Sequence, residues 1–143
     1  MEILNHQWSE RMLSVLRIII GLLYLQHGLA KLFGFPHVPT FDNLQLVSLI
    51  GLAGLIEVVG SVLLVLGLFT RPAAFIMSGE MAVAYFMTFA SRSFFPIVNG
   101  GELAIVYCFL FLYFAVAGGG AWSIDRLCQE SARVTGPAAQ RTV

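Results

Sequence analysis

Three carboxylates, Glu57, Glu80 and Glu102, stand in apolar runs that elsewhere also hold Arg17, His27 and Lys31. Acids and bases placed where water is scarce can move protons, grip the polar end of an apolar ligand, or pair to fix helix register. A carboxylate at mid-depth in a lipid-spanning helix costs at least ~2.5 kcal/mol, so each one calls for a partner. Nothing in the chain adds a self-contained catalytic motif. Ser61, Ser78 and Cys108 have no histidine at helical spacing, and Cys108 and Cys128 form no C-x-x-C pair. A dithiol centre, a metal site and a phosphate loop are therefore not expected. His27 is the one histidine within a span, so a haem would need its second ligand from another subunit or from a methionine.

The elements that must position these groups follow from composition. Of 143 residues, 58% are hydrophobic and 11% charged, against about a quarter charged in an ordinary soluble domain. Eight basic and eight acidic residues cancel, which leaves no basic field for nucleic acid. Crossing the hydrocarbon core takes about twenty apolar residues. Four segments qualify: Met12 to Phe33, Val47 to Phe69, Pro72 to Ser91 and Gly100 to Ala117. The joint Thr70-Arg71-Pro72 forces spans two and three into a hairpin. Asn99 to Glu102 reads as an N-cap followed by a capping-box glutamate, and Gly118-Gly119-Gly120 ends the fourth helix. The expected fold is all-α: a polytopic membrane protein built as an antiparallel four-helix transmembrane bundle. Residues 1–126 form the membrane domain and 127–143 a mobile polar tail. Loop one, Gly34 to Leu46, lies at the outer surface with a short interfacial turn around Phe41 to Leu46. Arg11, Arg17, Arg71, Arg126, Arg133 and Arg141 fall on one side, Lys31 and Arg92 on the other. That split places both termini in the cytoplasm.

Helical spacing then gives each span an inward face. On the first, Arg17, Gly21, Tyr24, Gly28 and Lys31, with His27 at the edge, share roughly one third of the circumference. The second offers Gly54, Glu57 and Ser61, with Gly51 and Gly60 beside them, small residues that permit close approach. The third aligns Ala73, Met77, Glu80, Ala84 and Met87, and the fourth Glu102, Val106, Phe109 and Tyr113. Depth suggests the pairing: Arg17 lies roughly 7 Å inside the cytoplasmic boundary, Glu80 ~12 Å and Glu57 ~15 Å. An inner cluster of Arg17 with Glu80 or Glu57 is expected, and an outer cluster of His27 and Lys31 with Glu102. One of the two mid-depth acids then lacks a cation.

Plainer readings stand beside these. Glu102 can serve only to open a helix, Arg17 and Lys31 can snorkel to opposite headgroup layers, and His27 can be a hydrogen-bonded interior histidine. Glu57 and Glu80 can be a structural pair that fixes register. Met77, Met81 and Met87 are most simply adaptable packing.

From Arg17 to Asp125 the chain resembles the DoxX family of small bacterial and archaeal membrane proteins. The resemblance rests on Arg17 with the His27-Gly28 to Lys31 run, on Gly54-Leu55-Ile56-Glu57-Val58-Val59-Gly60, and on Leu66-Gly67-Leu68-Phe69-Thr70-Arg71. It continues through Gly100-Gly101-Glu102 and Ala117 to Asp125, where Gly119 replaces the family's usual proline. It implies a four-helix protein of the prokaryotic plasma membrane, with Arg17, His27, Lys31, Glu57 and Glu102 as carried-over site residues; Glu80 rests on helical spacing alone. Some relatives are linked to quinone oxidoreduction and others to membrane redox complexes. If this chain serves as an oxidoreductase, it does so as a subunit, with a quinone held in the bundle, no covalent cofactor, and redox partner proteins supplying the rest. Two other classes stay open: a small proton-linked permease, which with four spans would form a homo-oligomer, and a non-catalytic scaffold subunit.

Overall fold

The computed structural model describes residues 2–42, 45 and 47–135. Among them the regular structure is all helical. Helix α1 runs Glu2–Phe33, α2 Leu49–Leu66, α3 Thr70–Ala84, α4 Pro96–Asn99, α5 Glu102–Ala117 and α6 Ile124–Thr135. A 3-10 turn covers Pro39–Phe41 in the first loop, and a π-helical turn, Tyr85–Phe89, prolongs α3. Among the described residues three helices are long and apolar enough to cross a membrane: α1, α2, and α3 with its π turn; α5 is apolar and shorter, at 16 residues.

Local chemistry sets the boundaries. Ser48 caps α2 through its side chain, which accepts from Gly51 N at 3.2 Å. Gly67, at φ +68°, ends α2: its N–H reaches Leu64 O at 3.1 Å and that of Leu68 reaches Leu63 O at 3.0 Å. These bonds close the last turn and leave only Gly67 to Phe69 before α3, so α2 and α3 run back along each other. Helix α1 packs on α2, α2 on α3, and α3 on α5. The core between them is Tyr24, Leu64, Met77, Tyr107, Phe111 and Phe114. Outside, Ile19, Leu23, Leu55, Val59, Ile76 and Phe109 are exposed, an apolar exterior suited to lipid.

Several expectations change. Helix α1 begins at Glu2, ten residues before the expected span. The stripe chosen for the fourth span faces outward: Glu102, Val106, Phe109 and Tyr113 are exposed, while Ala104, Tyr107, Phe111 and Phe114 are buried. Anchoring that face on Glu102 misled, because an acid at a helix start needs no burial. Met87 is likewise exposed. The capping box does not form: Glu102 is the first residue of α5, Gly101 its cap, and Asn99 instead ends α4, its Oδ1 accepting from Gly101 N at 2.7 Å. The expected mobile tail is helix α6 as far as Thr135, with Arg126 and Glu130 paired at 3.0 Å. Arg141 and the end of the tail, and much of the expected turn at Phe41 to Leu46, lie outside the described residues.

Candidate functional site

Close helix approach builds the site. A Cβ on Gly28 would sit 2.7 Å from Val58 Cγ2 and 2.9 Å from Val58 N, and one on Gly60 would sit 2.6 Å from Met77 Sδ. Bare backbone at these positions lets α1 and α3 rest directly on α2. Lys31 of α1 then reaches Glu57 of α2, with Nζ 2.5 Å from Oε1. Glu80 follows Met77 by three residues and Glu57 precedes Gly60 by three, so the contact of Gly60 with Met77 sets the two acids level. The phenol of Tyr24 donates to Glu80 Oε2 at 2.8 Å. Tyr24 itself is wedged between Tyr107 and Phe111 of α5, with ring centroids 5.0 and 4.8 Å away. Glu57 is 1% exposed. Its Oε2 and the Oε1 of Glu80 are buried with no partner, and the two carboxyl groups lie within direct interaction range of each other.

The line opens to one side. Lys31 lines a cleft of about 300 Å³ at the end of α1, closed by Val38, Phe41, His37 and Asp42. Its ammonium lies 5.9 Å from the Phe41 ring centroid, and His37 Nδ1 is 3.4 Å from Asp42 Oδ1. A polar rim over an aromatic wall can take a small ring carrying hydrogen-bond acceptors.

Arg17 is not part of this line. The expected Arg17 pairing with Glu57 or Glu80 does not occur. Fully buried, its guanidinium donates to main-chain carbonyls only: Gly119 O at 2.9 Å, Val65 O at 2.8 Å, Trp122 O at 2.7 Å, and Leu64 O. Leu64 and Val65 are in the last turn of α2, where carbonyls lack helical partners and the dipole is negative. The other two acceptors belong to the glycine-rich segment after α5, which folds back under the helices. Ser14 Oγ accepts from Trp122 N at 3.0 Å and fixes the same segment. Asp125 completes the junction, its two oxygens accepting from Phe69 N at 2.8 Å and Thr70 N at 2.9 Å, the first free N–H groups of α3. The cation thus satisfies one helix end and the carboxylate another.

The outer cluster of His27, Lys31 and Glu102 does not assemble either. Lys31 turns inward to Glu57, and Glu102 is exposed. His27 is exposed, with its ring 6.0 Å from Tyr24 and 6.2 Å from Tyr107. The structure therefore joins Lys31, Glu57 and Glu80, sets Arg17 apart as a clamp, and adds Tyr24, Ser14 and Asp125. Tyr24 was legible on the inward stripe of the first span. An acid following a glycine run, in a chain whose third helix lacks its own N-cap, was the available sign for Asp125.

Comparison with known proteins assigns the chain to a family. The DoxX family model matches residues 12–90. A Haemophilus influenzae protein described as uncharacterized is 50% identical over 117 residues, covering 79% of this chain and 87% of its own length. No solved structure matches. The chain is a membrane protein that belongs to the DoxX family.

Proposed function

We propose that this protein is an accessory subunit of a quinone-linked redox system in the prokaryotic plasma membrane. In this reading α5 crosses the bilayer as a fourth, shorter span of an antiparallel bundle. Both termini are cytoplasmic, and the membrane domain covers residues 1–126. The cleft beside Lys31 then lies at the outer surface. A quinone ring placed there stacks on Phe41, and its oxygens take hydrogen bonds from Lys31 and His37. Reduction to the quinol consumes two electrons and two protons; a redox partner protein supplies the electrons, and the acids behind Lys31 are placed to pass protons. The observation that carries the reading is the double position of Lys31, in the wall of the cleft and 2.5 Å from a buried carboxylate.

The test is to purify the protein from quinone-replete native membranes and quantify extractable quinone per chain. Wild type should retain quinone, and Lys31→Met or Phe41→Ala should lose it while keeping the gel-filtration profile. Repeated quinone-free wild-type preparations would refute the assignment. The scaffold reading keeps one specific support, the main-chain clamp of Arg17, and for that residue we adopt it. His27 and Glu102 are not assigned to the reactive set.

A further inference from the structure

We infer that Glu80 is a carboxylic acid that donates its proton to Glu57, so that Lys31, Glu57, Glu80 and Tyr24 form one hydrogen-bonded line in which the two acids share a single carboxyl proton inside the membrane. The inference rests on counting donors and acceptors. Lys31 donates to Glu57 Oε1 at 2.5 Å, and Tyr24 donates to Glu80 Oε2 at 2.8 Å. That leaves one oxygen on each acid, Glu57 Oε2 and Glu80 Oε1, both buried and without a partner. An ionised carboxylate is acceptor-only, so two of them cannot satisfy each other. One proton on Glu80 Oε1, donated to Glu57 Oε2, satisfies both at once.

Charge gives the same answer. The ionisable groups that face Glu80 are Glu57 from α2 and Tyr24 and Lys31 from α1; from α5, Tyr107 packs on Tyr24. Lys31 is the only cation among them. With both acids ionised the interior holds a net negative charge and two like charges side by side, which low-dielectric surroundings strongly disfavour. With Glu80 neutral the line sums to zero. The proton belongs on Glu80 rather than Glu57 because the ammonium already stabilises the Glu57 carboxylate. One turn beyond Glu57 on the same face of α2, Ser61 is also fully buried with its hydroxyl unpartnered. Lys31, at one end of the line, also lines the cleft.

This inference does not depend on what fills the cleft. Its test is infrared spectroscopy of the reconstituted protein together with dicyclohexylcarbodiimide labelling, a reagent that attacks protonated carboxyl groups in apolar surroundings. Wild type should show a protonated-carboxyl stretch that shifts in deuterated water and a peptide adduct at Glu80. Both should disappear in Glu80→Gln, whose amide can still donate to Glu57 and accept from Tyr24, and both should persist in Glu102→Gln. Should Glu80→Gln not fold, the adduct position in wild type decides alone. A wild-type protein with no such stretch and no adduct overturns the inference, as does an adduct at Glu57 with Glu80 unlabelled.

Discussion

Replacing Arg17 by methionine removes the guanidinium while nearly keeping its length and apolar stem. Of its four acceptors, Leu64 O keeps the Gly67 N–H at 3.1 Å and Gly119 O keeps the Ser14 hydroxyl at 3.4 Å. Val65 O and Trp122 O lose the partners they have at 2.8 and 2.7 Å. Each carbonyl left without a donor costs ~1–3 kcal/mol, so two in mid-range sum to about 4 kcal/mol. At ~2–4 °C per kcal/mol for a chain of this size, the unfolding midpoint in detergent should fall by roughly 10 °C. Arg17→Lys should lose about half as much, because a compact ammonium cannot fork to four carbonyls. Tryptophan fluorescence during heating reads the change, since Trp122 sits beside the clamp. Limited proteolysis after α5 should accelerate in parallel. A double-mutant cycle with Glu57→Gln should show coupling below ~0.5 kcal/mol, as expected for residues that share no partner. A methionine variant melting within ~3 °C of wild type, equivalent to about 1 kcal/mol, would refute the clamp. Strong coupling to Glu57 would restore the interior ion pair.

Two further outcomes follow from the geometry. Asp125→Ala leaves the first N–H groups of α3 without their acceptor and should cost about 1–2 kcal/mol, the usual loss for a helix cap, while Asp125→Asn should recover part of it; chemical denaturation in micelles measures both. Gly28→Val forces a side chain into a space where a Cβ alone would sit 2.7 Å from Val58 Cγ2. It should destabilise by about 1–3 kcal/mol by parting α1 from α2, which chemical denaturation in micelles measures.

The inward face of α1 was legible because a polar and small-residue stripe at helical spacing has one place to go when the rest of the helix is leucine and isoleucine. Gly54, Glu57 and Ser61 on α2 could be read the same way, and all three are buried. What failed was pairing across helices. Depth arithmetic treats a cation as seeking the nearest carboxylate, whereas Arg17 found four carbonyls. Two of these belong to a segment after the last apolar helix, and no spacing rule announces that this segment returns to residue 17. Lys31 was set too far out because its stem was left extended toward the surface; folded inward, it reaches Glu57. Helix α6 was missed although Ile124, Leu127, Cys128 and Ser131 recur at helical spacing and Arg126 stands four residues before Glu130. A high proportion of polar residues outweighed that period in the reading.

The carboxylate that grips the start of α3 is Asp125, translated only after every apolar helix has been made. Until the ribosome has extended the chain past that residue and released it from the exit tunnel, Arg17 has no glycine-rich loop to hold and α3 begins uncapped. Up to that point the earlier helices lack the contacts that this segment makes with Arg17 and with the start of α3. The junction at the helix ends therefore closes only after α1 to α5 exist, because the two loop carbonyls that hold Arg17 and the carboxylate that caps α3 all follow α5 in the chain.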